Sequence, residues 1–113
     1  MFKIFDNPSG TVIQPENDIM SDAAEKLRLL LTDLIKKSVR KLSFDFSAVK
    51  DMDAAALFVF FLLPDTLMSK FPDAELEIIH ASEDIVNMFK MTKLSKRYKM
   101  SDSEFAALAE LRD

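Results

Sequence analysis

The chain has 113 residues and a mass of 12.9 kDa, a size typical of one domain, and we predict a single domain over residues 1–113. Its 15 basic and 19 acidic residues give a net charge of −4, which disfavours nucleic acid as a partner. It has no cysteine, which excludes disulfides and thiolate metal sites. The N-terminus lacks the pattern of a secretory signal, and the longest apolar run, residues 54–63, is about half of a membrane span. We therefore expect a cytoplasmic protein with no direct membrane insertion.

The N-terminal part of the chain predicts a strand pair and then a helix. Residues 2–5 and 11–14 favour strands, with turn residues between them. Ser21 is the expected N-cap of a helix that runs to about Ser38, because apolar residues recur there at three- and four-residue spacing. The cations at 36–41 either complement the dipole at the end of this helix or form a docking patch.

Two later segments read as strands with one buried face. Residues 42–47 alternate strictly, with Leu42, Phe44 and Phe46 on one side, and residues 74–80 begin in the same way. Strands buried on both faces have continuous apolar runs instead. The pattern therefore predicts a sheet with helices mainly on one side.

Capping residues predict three further helices. Asp53 is the expected cap of a helix over residues 54–70, and Ser82 caps one over residues 83–91. Ser101 forms a capping box with Glu104 for a last helix ending near residue 112, after a short strand at 97–100. Pro64 should kink or end the helix in which it lies, because proline disrupts a helix interior.

Strands and helices therefore alternate along most of the chain. This order predicts an α/β fold in which parallel strands are joined by helical crossovers. We expect a mixed, mostly parallel sheet of about five strands, with four helices mainly on one face.

This order and two motifs resemble the STAS family, named for sulfate transporters and anti-sigma factor antagonists. The motifs are residues 42–49, LSFDFSAV, and residues 52–57, MDAAAL. In the family, a strand that ends in Asp, a hydrophobe and Ser leads to Asp-Ser-Ser-Gly-Leu at the start of a helix. Asp45, Ser47, Asp53 and Leu57 match that pattern. The resemblance covers nearly the whole chain and implies a STAS-like fold.

The departures from the family pattern concern phosphorylation. In anti-sigma factor antagonists the second Ser of that motif is the phosphoacceptor, and the equivalent residue here is Ala55. Ala54 and Ala56 replace the other Ser and the Gly, so a shift of the alignment restores no hydroxyl. The resemblance therefore implies a binding protein that lacks the phosphoswitch at its usual site.

The helix after this motif has no polar residue from 54 to 63. Turning Leu57, Phe60, Phe61, Leu67 and Met68 towards the sheet leaves other apolar residues facing outward or sideways. Two interpretations are open: neighbouring helices cover these apolar residues, or these residues form an exposed docking face. The family uses this helix and the preceding loop to bind partners. The residues predicted to bind a partner here are Asp51, Met52, Asp53, Ala54, Ala55, Ala56, Phe58, Val59 and Leu62.

No pattern in the sequence assembles a catalytic or cofactor site. Asp45, Asp51 and Asp53 are close in sequence, but strand alternation scatters them, so a metal site is disfavoured. His80 is the only histidine and has no second ligand residue beside it, and Gly10 is the only glycine, which excludes a glycine-rich phosphate loop. We therefore predict no enzyme activity and no cofactor.

Several functions of a binding protein remain open at this point. The first is a regulatory module that engages an anti-sigma factor, a serine kinase of that type, or a chemotaxis or signalling scaffold component. The second is an accessory STAS subunit of a lipid-transport ABC ATPase. A homodimer through the same apolar stripe is an equally economical use of that surface, and fold alone leaves room for a third class, an enzyme or nucleotide-binding domain.

Overall fold

A computed structural model describes residues 2–8 and 10–102. The strands are β1 (Phe2–Asn7), β2 (Gly10–Pro15), β3 (Lys41–Asp45), β4 (Glu75–Ile79) and β5 (Lys99–Asp102). The helices of this described part are α1 (Ser21–Lys36), α2 (Ala54–Lys70) and α3 (Glu83–Met91), and residues Leu94–Lys96 form a 3-10 turn.

The five strands form one sheet in the order β1-β2-β3-β4-β5. The first pair is antiparallel, and each of the other three pairs is parallel. Because the strand order follows the chain, right-handed crossovers bring successive helices to the same face of the sheet. The predicted α/β fold, with its mixed and mostly parallel sheet, is confirmed.

The core lies between this face of the sheet and the helices. Ile13 of β2 pairs in register with Phe44 of β3, and Phe44 pairs with Ile78 of β4. All three side chains are buried. Aromatic rings fill the space above them, and Phe44 meets Phe60 of α2 edge to face with ring centroids 5.0 Å apart. The alternation in the sequence therefore identifies the buried face of β3 correctly.

Several element bounds differ from the prediction. Helix α1 ends at Lys36, two residues early, and Ser38 adopts a left-handed backbone with φ of 65°. Strand β5 covers residues 99–102 instead of 97–100, because the 3-10 turn extends the connection that precedes it. The backbone of Ser101 lies in this strand. The rest of the predicted fourth helix lies outside the described residues.

Ser21 is not the N-cap of α1. Met20 occupies that position and makes no capping hydrogen bond through its side chain, and Ser21 is the first helical residue. The Ser21 hydroxyl instead donates to the carboxylate of Asp53, 2.8 Å away. The caps predicted for α2 and α3 are confirmed, because Asp53 accepts from the Ala56 N–H and Ser82 accepts from the Ile85 N–H.

Pro64 does not end α2, which continues to Lys70. The helix continues past the proline because the hydrogen bond that proline removes is replaced from outside the helix. The Tyr98 hydroxyl donates to the Phe60 carbonyl at 2.6 Å, and Phe60 is the residue whose carbonyl a residue at position 64 would normally bond.

Candidate docking surface

The loop before α2 is held against the segment before α1. One carboxylate oxygen of Asp18 accepts the backbone N–H groups of Lys50 and Asp51, at 2.7 and 3.1 Å. Ile19 and Met52 form a parallel bridge next to these contacts. The backbone that enters α2 is therefore fixed by hydrogen bonds from a second part of the chain.

Asp53 joins the first turns of both helices. One of its carboxylate oxygens accepts the Ala56 N–H at 3.0 Å, and the other accepts the Ser21 hydroxyl at 2.8 Å. These two donors, the Ala56 N–H first, hold the pKa of the Asp53 carboxyl below its ordinary value, and the Ser21 and Ala55 N–H groups act in the same direction. A negative charge therefore sits where the positive ends of α1 and α2 converge.

The first turn of α2 divides between core and surface. Ala54 and Ala55 are exposed, whereas Ala56 is fully buried. Met52 is also buried, beneath the loop. Of the residues predicted to bind a partner, Met52 and Ala56 therefore support the surface from below, and a partner has no direct access to their side chains.

Further along α2, large apolar side chains point away from the core. Phe58 is 60% exposed, Phe61 56% and Leu62 46%. Together with Ala54 and Ala55 they form what we call the α2 ridge.

The predicted orientation of Phe61 is wrong. Phe60 and Leu67 are fully buried, as expected, but Phe61 lies on the ridge. One residue along a helix corresponds to a rotation of about 100°, so Phe60 and Phe61 cannot both face the sheet. Leu57 and Met68 are half-buried at the sides of the helix. Phe61 therefore adds a second exposed ring beside Phe58.

Two apolar grooves flank the ridge, and Phe58 lines both. The first lies between α1 and α2, encloses about 290 Å³, and is lined by residues that include Leu31, Val59 and Leu62. The second encloses about 240 Å³ and runs from Ala54 past Phe61 to the 3-10 turn. The ridge and its grooves form one continuous apolar surface, which the helices of the described part of the chain leave open.

The remaining candidate residues of the sequence make local contacts. Asp45 accepts the side-chain amide of Gln14 at 3.1 Å and the N–H of Ser47 at 3.0 Å. Asp51 accepts the N–H of Met52 at 2.9 Å. Within residues 2–8 and 10–102, no three acidic or histidine side chains converge in a way that suits a metal ion. Over the same ranges, no helix has the length and apolar character of a membrane span.

Tyr98 is the functional candidate that sequence reasoning missed. The sequence did contain a signal, because a proline inside a predicted helix leaves one identifiable carbonyl without its donor. Which residue supplies the replacement depends on the fold, since Tyr98 lies 38 residues away from Phe60.

Comparisons with known proteins bear on the fold and the family. A putative anti-sigma factor antagonist from Thermotoga maritima matches with a TM-score of 0.81 and 18% identity, over 99% of this chain and 95% of that one. An anti-sigma factor antagonist from Mycobacterium paratuberculosis matches with a TM-score of 0.80 and 18% identity, over 100% and 94%.

The unphosphorylated anti-sigma factor antagonist SpoIIAA matches with a TM-score of 0.71 and 16% identity, over 99% of this chain and 98% of that one. No curated protein matches the sequence. The model of the STAS domain matches residues 3–107, which are most of the chain. The chain therefore belongs to the STAS domain family.

Proposed function

We propose that this chain is a non-catalytic regulatory protein, similar to anti-sigma factor antagonists, that binds a partner protein through the α2 ridge and the loop before it. The observation that supports this most is the exposure of Phe58, Phe61 and Leu62 on a helix that lies beside the fixed loop at 46–53. A helix packed on one side of a sheet normally has a polar outer stripe. On α2 the outer stripe is apolar from Ala54 to Leu62 and becomes polar only from Asp65 onward.

Burial of the ridge supplies part of the free energy that specific binding requires. Each of the three large side chains is about half exposed, so its burial by a partner stabilises the complex by about 1 kcal/mol. The grooves on both sides of Phe58 add room for side chains of the partner. Aromatic side chains such as those of Phe58 and Phe61 are enriched at protein interfaces relative to the rest of the surface.

The loop contributes by being ordered before a partner arrives. The two hydrogen bonds to Asp18 and the cap at Asp53 fix the backbone from Lys50 to Ala56. Binding then orders little additional chain, which reduces its entropic cost.

Ala55 bears on how the binding is controlled. SpoIIAA is described in an unphosphorylated and a phosphorylated form. A phosphoryl group adds about two negative charges, which at the start of α2 would lie on the docking surface. Residues 51–63 of this chain contain no hydroxyl group. We propose that the chain stays competent to bind and that its abundance or its partner provides the control.

The partner that fits this role is an anti-sigma factor of the serine-kinase type. The test is to capture partners from the native cell on the tagged chain and to identify them by mass spectrometry. Recovery of such an anti-sigma factor is the expected result. Recovery of a transport ATPase would contradict the proposal in favour of an accessory subunit.

Matched variants locate the surface. Phe58→Asp and Leu62→Asp should each abolish capture, because a charge is placed in the centre of an apolar contact. Leu29→Asp is the control, since Leu29 is 54% exposed on α1 and does not line the grooves. Capture should survive in the control. Undiminished capture by both α2 variants would show that the partner binds elsewhere.

A further inference from the structure

Pro64 leaves one backbone carbonyl inside α2 without its usual hydrogen-bond donor. Each N–H in a helix interior bonds the carbonyl four residues earlier, and proline has no N–H. The carbonyl of Phe60 therefore lacks its helical donor. Phe60 is fully buried, so water is a poor substitute for that donor. A buried carbonyl without a partner destabilises the fold, and the Phe60 carbonyl lies in the middle of the ridge sequence.

Tyr98 supplies the missing hydrogen-bond donor. Its hydroxyl donates to the Phe60 carbonyl at 2.6 Å, and only 3% of the residue is exposed. The ring packs against Phe89 and Phe60, with centroids 5.6 and 6.0 Å apart. Burial raises the pKa of the phenol, so the hydroxyl stays protonated and able to donate. The donor is therefore held in one orientation by the core.

The residue before Tyr98 makes a second contact with α2. The Arg97 guanidinium bonds the Asp65 carboxylate at 2.7 Å. Asp65 follows Pro64 directly, so residues 97 and 98 contact α2 on both sides of the proline. The ion pair is exposed and contributes little to stability, which leaves the buried hydroxyl as the main contact.

We infer that Tyr98 is a positioning residue for the α2 ridge: its hydroxyl replaces the N–H that Pro64 removes and so keeps residues 58–62 on a regular helical course. The claim that this helical course matters for binding rests on the proposed function. The claim that Tyr98 replaces the missing hydrogen bond is independent of the proposed function, and it is tested without a partner.

The test is a double-mutant cycle on the full chain, measured by denaturant unfolding. Tyr98→Phe should raise the equilibrium constant for unfolding about tenfold or more, because it leaves the carbonyl unpaired but keeps the ring. Pro64→Ala restores a helical N–H. In that background, Tyr98→Phe should raise the constant by less than about threefold. Equal effects of Tyr98→Phe in the two backgrounds would overturn the inference.

A control within the same helix separates this effect from the loss of any hydroxyl. The Thr66 hydroxyl donates to the Leu62 carbonyl at 3.1 Å, and that carbonyl also has the Thr66 N–H as its helical donor. Thr66→Val should therefore leave the unfolding constant within about threefold of the original.

Amide hydrogen exchange measures how readily the hydrogen bonds of the ridge segment open and remains informative for weakly stable variants. Tyr98→Phe should accelerate exchange in residues 58–66 more than in α1, and Pro64→Ala should reverse this. A uniform acceleration over all helices would mean that Tyr98 only stabilises the fold, and would overturn the positioning role. Partner capture by Phe58→Asp tests the proposed function alone, and undiminished capture would leave the inference about Tyr98 untouched, so the two ideas fail independently.

Discussion

The hydroxyl of Ser21 lies 2.8 Å from the carboxylate of Asp53 and donates a hydrogen bond to it, which links the first residue of α1 to the cap of α2. The two residues are 32 positions apart in the chain. The same carboxylate accepts the Ala56 N–H. The Asp53 side chain therefore holds the start of α1 and the start of α2 together at one end of the docking surface.

Asp53 should matter more for stability than Ser21. Asp53→Ala removes the cap of α2 together with the link to α1, so it should lower the melting temperature by several degrees. Ser21→Ala removes only an exposed hydrogen bond and should cost about 0.5 kcal/mol or less. Thermal unfolding followed by circular dichroism measures both. Equal losses in the two variants would show that the link between the helices, and not the cap, is the important part.

The contribution of Asp53 should depend on pH in a defined direction. Its pKa in the folded chain lies below the ordinary value of 3.8, because the Ala56 N–H and the Ser21 hydroxyl stabilise the charged form. A lowered pKa gives stability that is present above the unfolded pKa and lost as pH falls through the folded pKa. The difference in unfolding free energy between the chain and Asp53→Asn should therefore be constant at neutral pH and shrink below about pH 4. A difference independent of pH would contradict the hydrogen-bond geometry.

Tyr98 predicts a loss of stability in alkali. Burial raises the pKa of its phenol well above the ordinary value of 10.0. A raised pKa gives stability that is complete below the unfolded pKa and lost as pH rises through the folded pKa, so the decline begins above about pH 10. Because Tyr98 is the only tyrosine, phenolate absorbance reports this group alone.

In the folded chain the phenolate signal should appear only together with unfolding, and Tyr98→Phe should lose this alkaline dependence. Ionisation near pH 10 in a chain that remains folded would show that the hydroxyl is accessible to water.

Adjacent phenylalanines of α2 should differ strongly in their effect on stability. Phe60 is fully buried among Phe44, Phe46 and Phe89, so Phe60→Ala should cost about 3–5 kcal/mol. Phe61 is 56% exposed, and Phe61→Ala should cost about 1 kcal/mol or less. Urea unfolding compares the two. Similar costs would mean that α2 is rotated from the position described.

Local patterns predicted much of this fold. The alternation around Phe44 identified β3 and its core-facing side, although Ser43 on the other side is also buried, and the caps at Asp53 and Ser82 located the starts of α2 and α3 correctly. These features depend on neighbours within a few residues. These features can therefore be predicted from the local sequence alone.

Two of the errors involve partners that are distant in sequence. Ser21 was expected to cap its own helix, but it contacts Asp53 instead. Pro64 was expected to kink or end α2, but the helix continues to Lys70, and Tyr98 compensates for the N–H that Pro64 lacks. The orientation of Phe61 was ambiguous, because a helix that is apolar on every side has no polar stripe to indicate which face is outside. Only the packed structure resolves such choices.

The most direct test of the account is a charge at position 55. Ala55 is exposed in the first turn of α2, where a carboxylate complements the helix dipole, so Ala55→Glu should leave the fold as stable as before or slightly more stable. The binding constant for the captured partner is measured for Ala55→Glu and for the uncharged control Ala55→Gln. The account predicts that Ala55→Glu weakens binding at least about tenfold more than Ala55→Gln, because the charge is buried under the partner. Equal binding by the two variants would show that the partner does not dock over the start of α2.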